Sequence, residues 1–353
     1  MPPETVPSET VPPETVGVRV DGGVGFDLSR VAEEARRAEA LGYDGVVTAE
    51  AGHDPFLPLL VAAQHTEHLE LATGIAVAFG RNPLTVAQIA NDLQVASGGR
   101  FILGLGSQIR AHITRRYSMP WSHPAARMRE FILALRHIWA SWHEGEKLSF
   151  EGEFYTHTLM TPFFSPGPNE HGAPRVWLAA VGPKMTEVAG ETADGILCHP
   201  FTTERYLRDA TLPQLDAARK SVDRTLDGFE VVLPVFVVTG RDEKEMEAAT
   251  AGVKSQIAFY GSTPAYRPVL DMHGWGDAQG ELNRLSKEGR WAEMGAVIDA
   301  EMLTSFAVVA EPGRVAEGIL DRFGDVADRV SFYAPYRTEP DLWSDVVARL
   351  HQG

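Results

Sequence analysis

Residues 69–107 read LELATGIAVAFGRNPLTVAQIANDLQVASGGRFILGLGS. The apolar run Leu69–Ala76 predicts a strand, Asn82-Pro83 opens a helix, Gly98-Gly99 stops it, and Phe101–Leu105 predicts a second strand. Two buried-type strands joined by one helix form a βαβ unit, so the strands run parallel. Both strands end in small residues: Gly74 and Ala76 in the first, Gly104, Gly106 and Ser107 in the second. Small residues at the ends of parallel strands let a ligand approach the backbone closely, which makes these ends the expected site.

The same pattern extends outward. Strands are predicted at Gly17–Val20, Gly45–Thr48, Arg175–Ala180, Gly195–Cys198, Glu230–Val238 and Val330–Tyr333 in addition to the two above. Helices are predicted at Asp27–Leu41, Pro55–His65, Pro83–Ser97, Ala125–Trp142, Pro183–Thr192, Glu204–Asp216, Lys244–Tyr260 and Pro312–Phe323. Eight strands alternating with helices predict a (β/α)8 TIM barrel over residues 17–353. Segments 144–173 and 261–306 are too long for plain connections and read as insertions, as lids or oligomer contacts. Residues 1–16 carry three copies of a five-residue unit, PPETV, PSETV and PPETV. A proline- and glutamate-rich repeat has little to bury, so a disordered or extended tail is expected, with no part in function.

Composition narrows the class of partner. The chain is 44% hydrophobic with a formal net charge of −16, which argues against nucleic acid or an anionic membrane as partner. No apolar run approaches the roughly 20 residues that span a bilayer. The N-terminus has neither the basic residues nor the apolar core of a secretory signal, so a cytoplasmic location is expected. Cys198 is the only cysteine, which excludes an internal disulfide and a thiolate zinc site. The Gly104-Leu105-Gly106 run lacks the third glycine of a dinucleotide fingerprint, because that position is Ile109. Phosphate-loop, zinc-helix and nucleophile-elbow motifs do not occur, and His65 with His68 reads as a polar helix end, so no metal is expected.

In a barrel of this kind the site lies at the C-terminal ends of the strands. Glu50 and His53 follow the second strand, Ser107, Gln108 and His112 the fourth, Val181, Gly182 and Lys184 the fifth, and His199 the sixth. Five arginines and no acid lie between Arg110 and Arg129, which reads either as a solvated basic face or as attraction for an anion. The helix opening at Pro183 offers free N–H groups and a dipole beside Lys184, a second anion-suited feature.

Four stretches in this order resemble the bacterial luciferase-like monooxygenase family, in its coenzyme F420-dependent oxidoreductase branch. They are AEALGYDGVVTAE (38–50), residues 74–107, HITRRYSMPWSHPAARMRE (112–130) and VWLAAVGPKMTEVAGETADGIL (176–197). The resemblance implies a cis peptide at Gly74–Ile75, where Gly74, Ile75 and Ala76 back the deazaflavin ring. It places Ser107, Gln108 and His112 against the coenzyme, and Val181, Gly182, Lys184 and Met185 around its phosphate-bearing side chain. It also implies a homodimer and hydride transfer to or from a small-molecule organic substrate.

Two departures from the family's sugar-phosphate dehydrogenases argue against that substrate. Ile109 stands where they carry a glutamate base, and Ala51 follows Glu50 where they carry a histidine. His53, three residues beyond Glu50, is the expected proton-transfer group, since an unperturbed imidazole titrates near neutrality, and Glu50 its orienting partner. His199 and His273 are expected in the substrate pocket. Two alternatives share the fold: an FMN-dependent monooxygenase, and a coenzyme-binding protein without turnover.

Overall fold

The computed structural model describes residues 17–339 and 341–352, so the repeat at residues 1–16 lies outside the described residues. Eight parallel strands close a barrel. They are β1 (Arg19–Gly23), β2 (Gly45–Thr48), β3 (Glu70–Thr73), β4 (Phe101–Gly106), β5 (Arg175–Ala180), β6 (Gly195–Cys198), β7 (Glu230–Val238) and β8 (Arg329–Tyr333). Neighbours follow chain order, and the barrel shuts where β8 meets β1, with Val330 opposite Val20. All eight are the strands expected from sequence. Helices on the outside bury the outward side chains of the strands in one continuous core.

Local chemistry sets the helix starts. Asp27 caps α1 (Leu28–Ala40) by accepting the Ser29 N–H at 3.1 Å, and Gly42, with φ 84°, turns the chain away after the helix. A second helix, α2, spans Phe56–Ala63. Asn82 caps α3 (Pro83–Ala96) through the Leu84 N–H at 2.9 Å. A short helix α4 (Arg110–Arg115) is followed by α5 (Pro124–His143) and α6 (Pro183–Thr192), both with proline in the first turn.

The barrel interior is filled in layers. At its base five strands begin with a charged residue: Arg19, Glu70, Arg175, Glu230 and Arg329. Arg329 is buried and pairs with Asp21, Nε to Oδ2 at 2.8 Å, and with Glu70. Arg19 and Arg175 each bridge Glu70 and Glu230. Gly45 makes room for this layer, because a Cβ there would meet both the Asp21 carboxylate and the Arg329 guanidinium. Above it sits a small apolar layer of Ala72, Ile102, Trp177, Leu197 and Val232. The top of the barrel is left open.

Three features differ from the sequence expectation. The strand read as Leu69–Ala76 is broken: β3 ends at Thr73 and Ala76–Val77 resumes pairing with Leu105 and Gly106, while the Gly74–Ile75 peptide between them is cis, as the resemblance implied. The helix read as Glu204–Asp216 contains a wide turn at Leu207–Thr211 and continues to Lys220. An extra short strand, Ala307–Val309, pairs with the end of β7. Segment 144–173 holds a small antiparallel hairpin, whose turn is fixed by the Glu130 carboxylate accepting the N–H groups of Glu153, Phe154 and Tyr155. Segment 261–306 is helical and packs with helix Glu243–Gly261 into a separate hydrophobic cluster.

Candidate active site

A cavity of about 810 Å³ opens at the C-terminal ends of the strands, within the roughly 300–1,000 Å³ of small-molecule sites. One wall comes from β3, β4 and β5: Gly74, Ile75, Gly106, Ser107, Gln108 and Val181 line it. Backbone approaches closely here. A Cβ on Gly74 would overlap Val47, and one on Gly106 would press on Ile75. Gln108 takes φ 60°, and its side-chain oxygen accepts the Ile109 N–H at 2.9 Å, which locks the turn after β4. Ala76 is fully buried behind this wall and does not line it.

The opposite wall is aromatic. His199 stacks on Tyr266, ring centroids 4.5 Å apart, and meets Tyr260 edge-on at 4.6 Å. The Tyr260 and Tyr333 hydroxyls hydrogen-bond to each other at 2.7 Å. His199 Nδ1 accepts the Phe201 N–H at 3.0 Å, so the neutral ring carries its proton on Nε2. Burial lowers the His199 pKa to about 4 and pushes the Tyr266 hydroxyl and the Cys198 thiol each up to about 12. Burial, reinforced by the Tyr333 hydrogen bond, raises Tyr260 as well. These groups are therefore neutral at neutral pH.

The His199 shift has a consequence for acid stability. The unfolded chain takes up this proton near the ordinary value of 6.5, the folded chain only near 4. Between those values the unfolded state binds more protons, so stability falls as pH drops through that window, by roughly 3 kcal/mol in all. Above 6.5 the residue contributes no pH dependence. His199→Gln should flatten this part of the profile in urea melts at about pH 7 and about pH 5; identical slopes in both proteins would show that the burial of His199 is not its cause.

The other expected residues fall in different places. Glu50 is committed to holding the bulge after β3: it accepts the Val77 N–H at 2.7 Å, the Tyr117 hydroxyl at 2.6 Å and an Arg81 N–H at 2.5 Å. His53 is exposed in the β2–α2 loop, lies outside the cavity lining and stacks on Phe26 at 5.4 Å. The surroundings of these two residues do not make a proton-transfer pair. His112 is exposed on α4, also outside the lining. His273 stacks on Trp275 at 4.4 Å and hydrogen-bonds Thr203 through Nε2 at 2.8 Å, so it is a packing residue of the helical insertion rather than part of the pocket wall.

A second groove, of about 680 Å³, adjoins the first. Val181 lines the cavity and the next residue, Gly182, lines the groove. The starts of α5 and α6 meet there, and neither first turn has a side-chain cap. Lys184, Met185, His123 and Arg129 also contribute. The arginine run is only partly free for ligands. Arg127 is buried, donating to the Tyr155 hydroxyl at 2.9 Å, and Arg129 is paired with Glu187 and Glu191. The residues missed from sequence are those of the aromatic wall, Tyr260, Tyr266 and Tyr333, and Asp21 at the floor.

A closed parallel barrel with a ligand-sized cavity at its C-terminal rim defines a (β/α)8 protein built to hold a small molecule. The sequence profile of the luciferase-like monooxygenase family matches residues 8–329, and the chain belongs to that family. An uncharacterised Mycobacterium tuberculosis protein is 55% identical over 315 residues, covering 89% of this chain and 92% of its own length. The F420-dependent glucose-6-phosphate dehydrogenase of Intrasporangium calvum is 27% identical, covering 83% of this chain and 85% of the relative. Among solved structures, the coenzyme F420-dependent tetrahydromethanopterin reductase of Methanopyrus kandleri superposes with a TM-score of 0.76 at 20% identity, over 95% of this chain and 97% of that one. Among the described residues, no helix is long and apolar enough to cross a membrane.

Proposed function

We propose that this chain is an F420-dependent oxidoreductase that moves a hydride between the deazaflavin and a small organic substrate. The observation that carries the reading is the two-part site. The cavity wall that includes Gly74, Ile75 and Gly106 reaches Val181, and the next residue, Gly182, lines a groove at two helix N-termini. That shape and chemistry fit a planar ring with an anionic tail. Gly182, where a Cβ would meet nothing within 4 Å, leaves room for the tail.

The residues divide the work. Gly74 and Ile75 back the ring, while Ser107 and Gln108 fix its edge from the turn after β4. The uncapped N–H groups at the start of α6, with Lys184, hold the tail's negative charge. Met185, half-buried against the core, closes the groove from below. When bound, the deazaflavin would supply the hydride chemistry, and the chain would contribute orientation, water exclusion and hydrogen bonds. Among the groups lining the cavity, His199 and the Tyr260–Tyr333 pair can hydrogen-bond a substrate oxygen, whereas the exposed His53 lies outside the lining.

The test is a parallel titration of the full-length protein with F420, FMN and NADPH. F420 should bind, and Lys184→Ala should weaken it about tenfold, the scale of a lost charge-assisted contact. Tight FMN binding without F420 binding would replace this reading by that of an FMN-dependent monooxygenase.

A further inference from the structure

The cavity and the groove beside it differ in charge. Among the described residues, the groove has Lys184 on its wall together with Arg129 and Glu187, which pair with each other, whereas neither lysine nor arginine lines the cavity. The charged group that reaches the cavity is Asp21, and both its oxygens are held at the floor by Arg329. Around the rest of the wall are aromatic rings, aliphatic side chains and neutral hydroxyl, thiol, amide and imidazole groups.

We infer that the substrate part of this cavity takes an uncharged, largely aromatic or aliphatic molecule bearing a single ketone or alcohol oxygen, which His199 Nε2–H and the Tyr260–Tyr333 hydroxyl pair recognise. The inference deepens the oxidoreductase reading and rests on it for the word substrate. A phosphate or carboxylate here would be stripped of water with no cation to pair with, and unpaired buried charge is strongly disfavoured. A neutral ketone or alcohol has the reverse fit. Its carbon skeleton covers Phe332, Tyr266 and Trp343, and its oxygen meets the donors.

The polar groups are prepared for one oxygen. Of the two protons on Tyr260 and Tyr333, one is used in the 2.7 Å bond between them and the other is left to donate. His199 is held by stacking and by its Nδ1 contact to Phe201, so that Nε2–H has a fixed direction. Burial keeps His199, Tyr260 and Tyr266 neutral near neutral pH, so they offer hydrogen bonds to a ketone or alcohol without a charge that would pair with an anion. The site thus differs in charge from one for a sugar phosphate, although a relative 27% identical over most of the chain is a glucose-6-phosphate dehydrogenase.

The experiment uses the full-length protein, with and without F420, and reads binding by ligand-observed NMR. Acetophenone and 1-phenylethanol are the neutral probes. Phenyl phosphate and glucose 6-phosphate are scored by their ability to displace acetophenone, so that binding in the Lys184 groove does not count. Acetophenone should bind, and the phosphates should displace it at least about tenfold less well than 1-phenylethanol does. The double variant Tyr260→Phe, Tyr333→Phe keeps both rings and should weaken acetophenone about tenfold, as should His199→Asn. Displacement by either phosphate at concentrations equal to or below those of 1-phenylethanol overturns the inference. So does undiminished acetophenone binding in both variants, or no binding of either neutral probe up to its solubility limit. Neutral probes that bind while F420 does not would overturn the oxidoreductase reading and leave the binding class standing. F420 binding with a preference for phosphates would do the opposite.

Discussion

Arg329→Ala is expected to cost about 3–5 kcal/mol of stability, because it leaves the buried Asp21 carboxylate without its counter-charge. Arg329 is 1% exposed and Asp21 2%. The guanidinium holds both Asp21 oxygens, reaches Glu70 and lies 5.3 Å over the Trp177 ring, so its removal unpairs Asp21, takes one of three arginine partners from Glu70 and opens a hole beside Trp177. The change should appear as a lower urea midpoint with an unaltered slope. Arg329→Lys should recover only part of the loss, since an ammonium cannot make the paired contact to Asp21. Converting Asp21→Leu together with Arg329→Met should recover more, because a matched apolar pair avoids the unpaired charge. A midpoint for Arg329→Ala close to that of the unaltered protein would show that Arg19 and Arg175 suffice to neutralise the layer.

Gly104→Ala is expected to abolish folding, or to reduce stability by more than about 4 kcal/mol. A Cβ on Gly104, fixed in position by the backbone, would overlap the backbone carbonyl oxygen of Thr73 in the neighbouring barrel strand. The Thr73 hydroxyl also donates to the Gly104 carbonyl at 2.7 Å, which fixes the separation. No side-chain rotation relieves such a clash. Gly182→Ala is the matched control, since the site has φ −110° and a Cβ there meets nothing within 4 Å. Soluble yield and circular dichroism of the two variants separate the outcomes. A folded Gly104→Ala protein would mean that β3 and β4 can part without loss of the barrel.

The eight strands were legible because each is an apolar run punctuated by helix caps, prolines and glycines, a signal carried within a short window. The region around Gly74 was legible in part. Its small residues mark a close backbone approach, but the division of the strand into Glu70–Thr73 and Ala76–Val77 depends on pairing with Leu105 and Gly106, some thirty residues on. The basal charge layer was not read, although its sign is present: Arg19, Glu70, Arg175, Glu230 and Arg329 each lie within two residues of the start of a predicted strand. Only when the barrel closes do these five meet. Arg127 illustrates the opposite error. Within a basic run it looks solvated, yet its position on the inner face of α5 buries it against Phe79 and Tyr155. His53 and the aromatic wall depend on loop and insertion geometry, which strand-end position does not encode. His199 lines the cavity because it directly follows a strand, a position that the sequence does encode.

The two walls of the cavity have different architectural origins. The wall from β3, β4 and β5 is packed so closely that a methyl group at Gly74 would meet Val47 and one at Gly106 would meet Ile75. The wall facing it includes Tyr260 and Tyr266, supplied by the helical insertion and the helix before it, which have a hydrophobic cluster of their own. Sequence change is thus confined on one side and tolerated on the other. Exchange of the 261–306 segment between relatives would act as replacement of a cassette, altering which molecules are accepted while the barrel beneath keeps its form. Divergence within this lineage is expected to concentrate in that cassette.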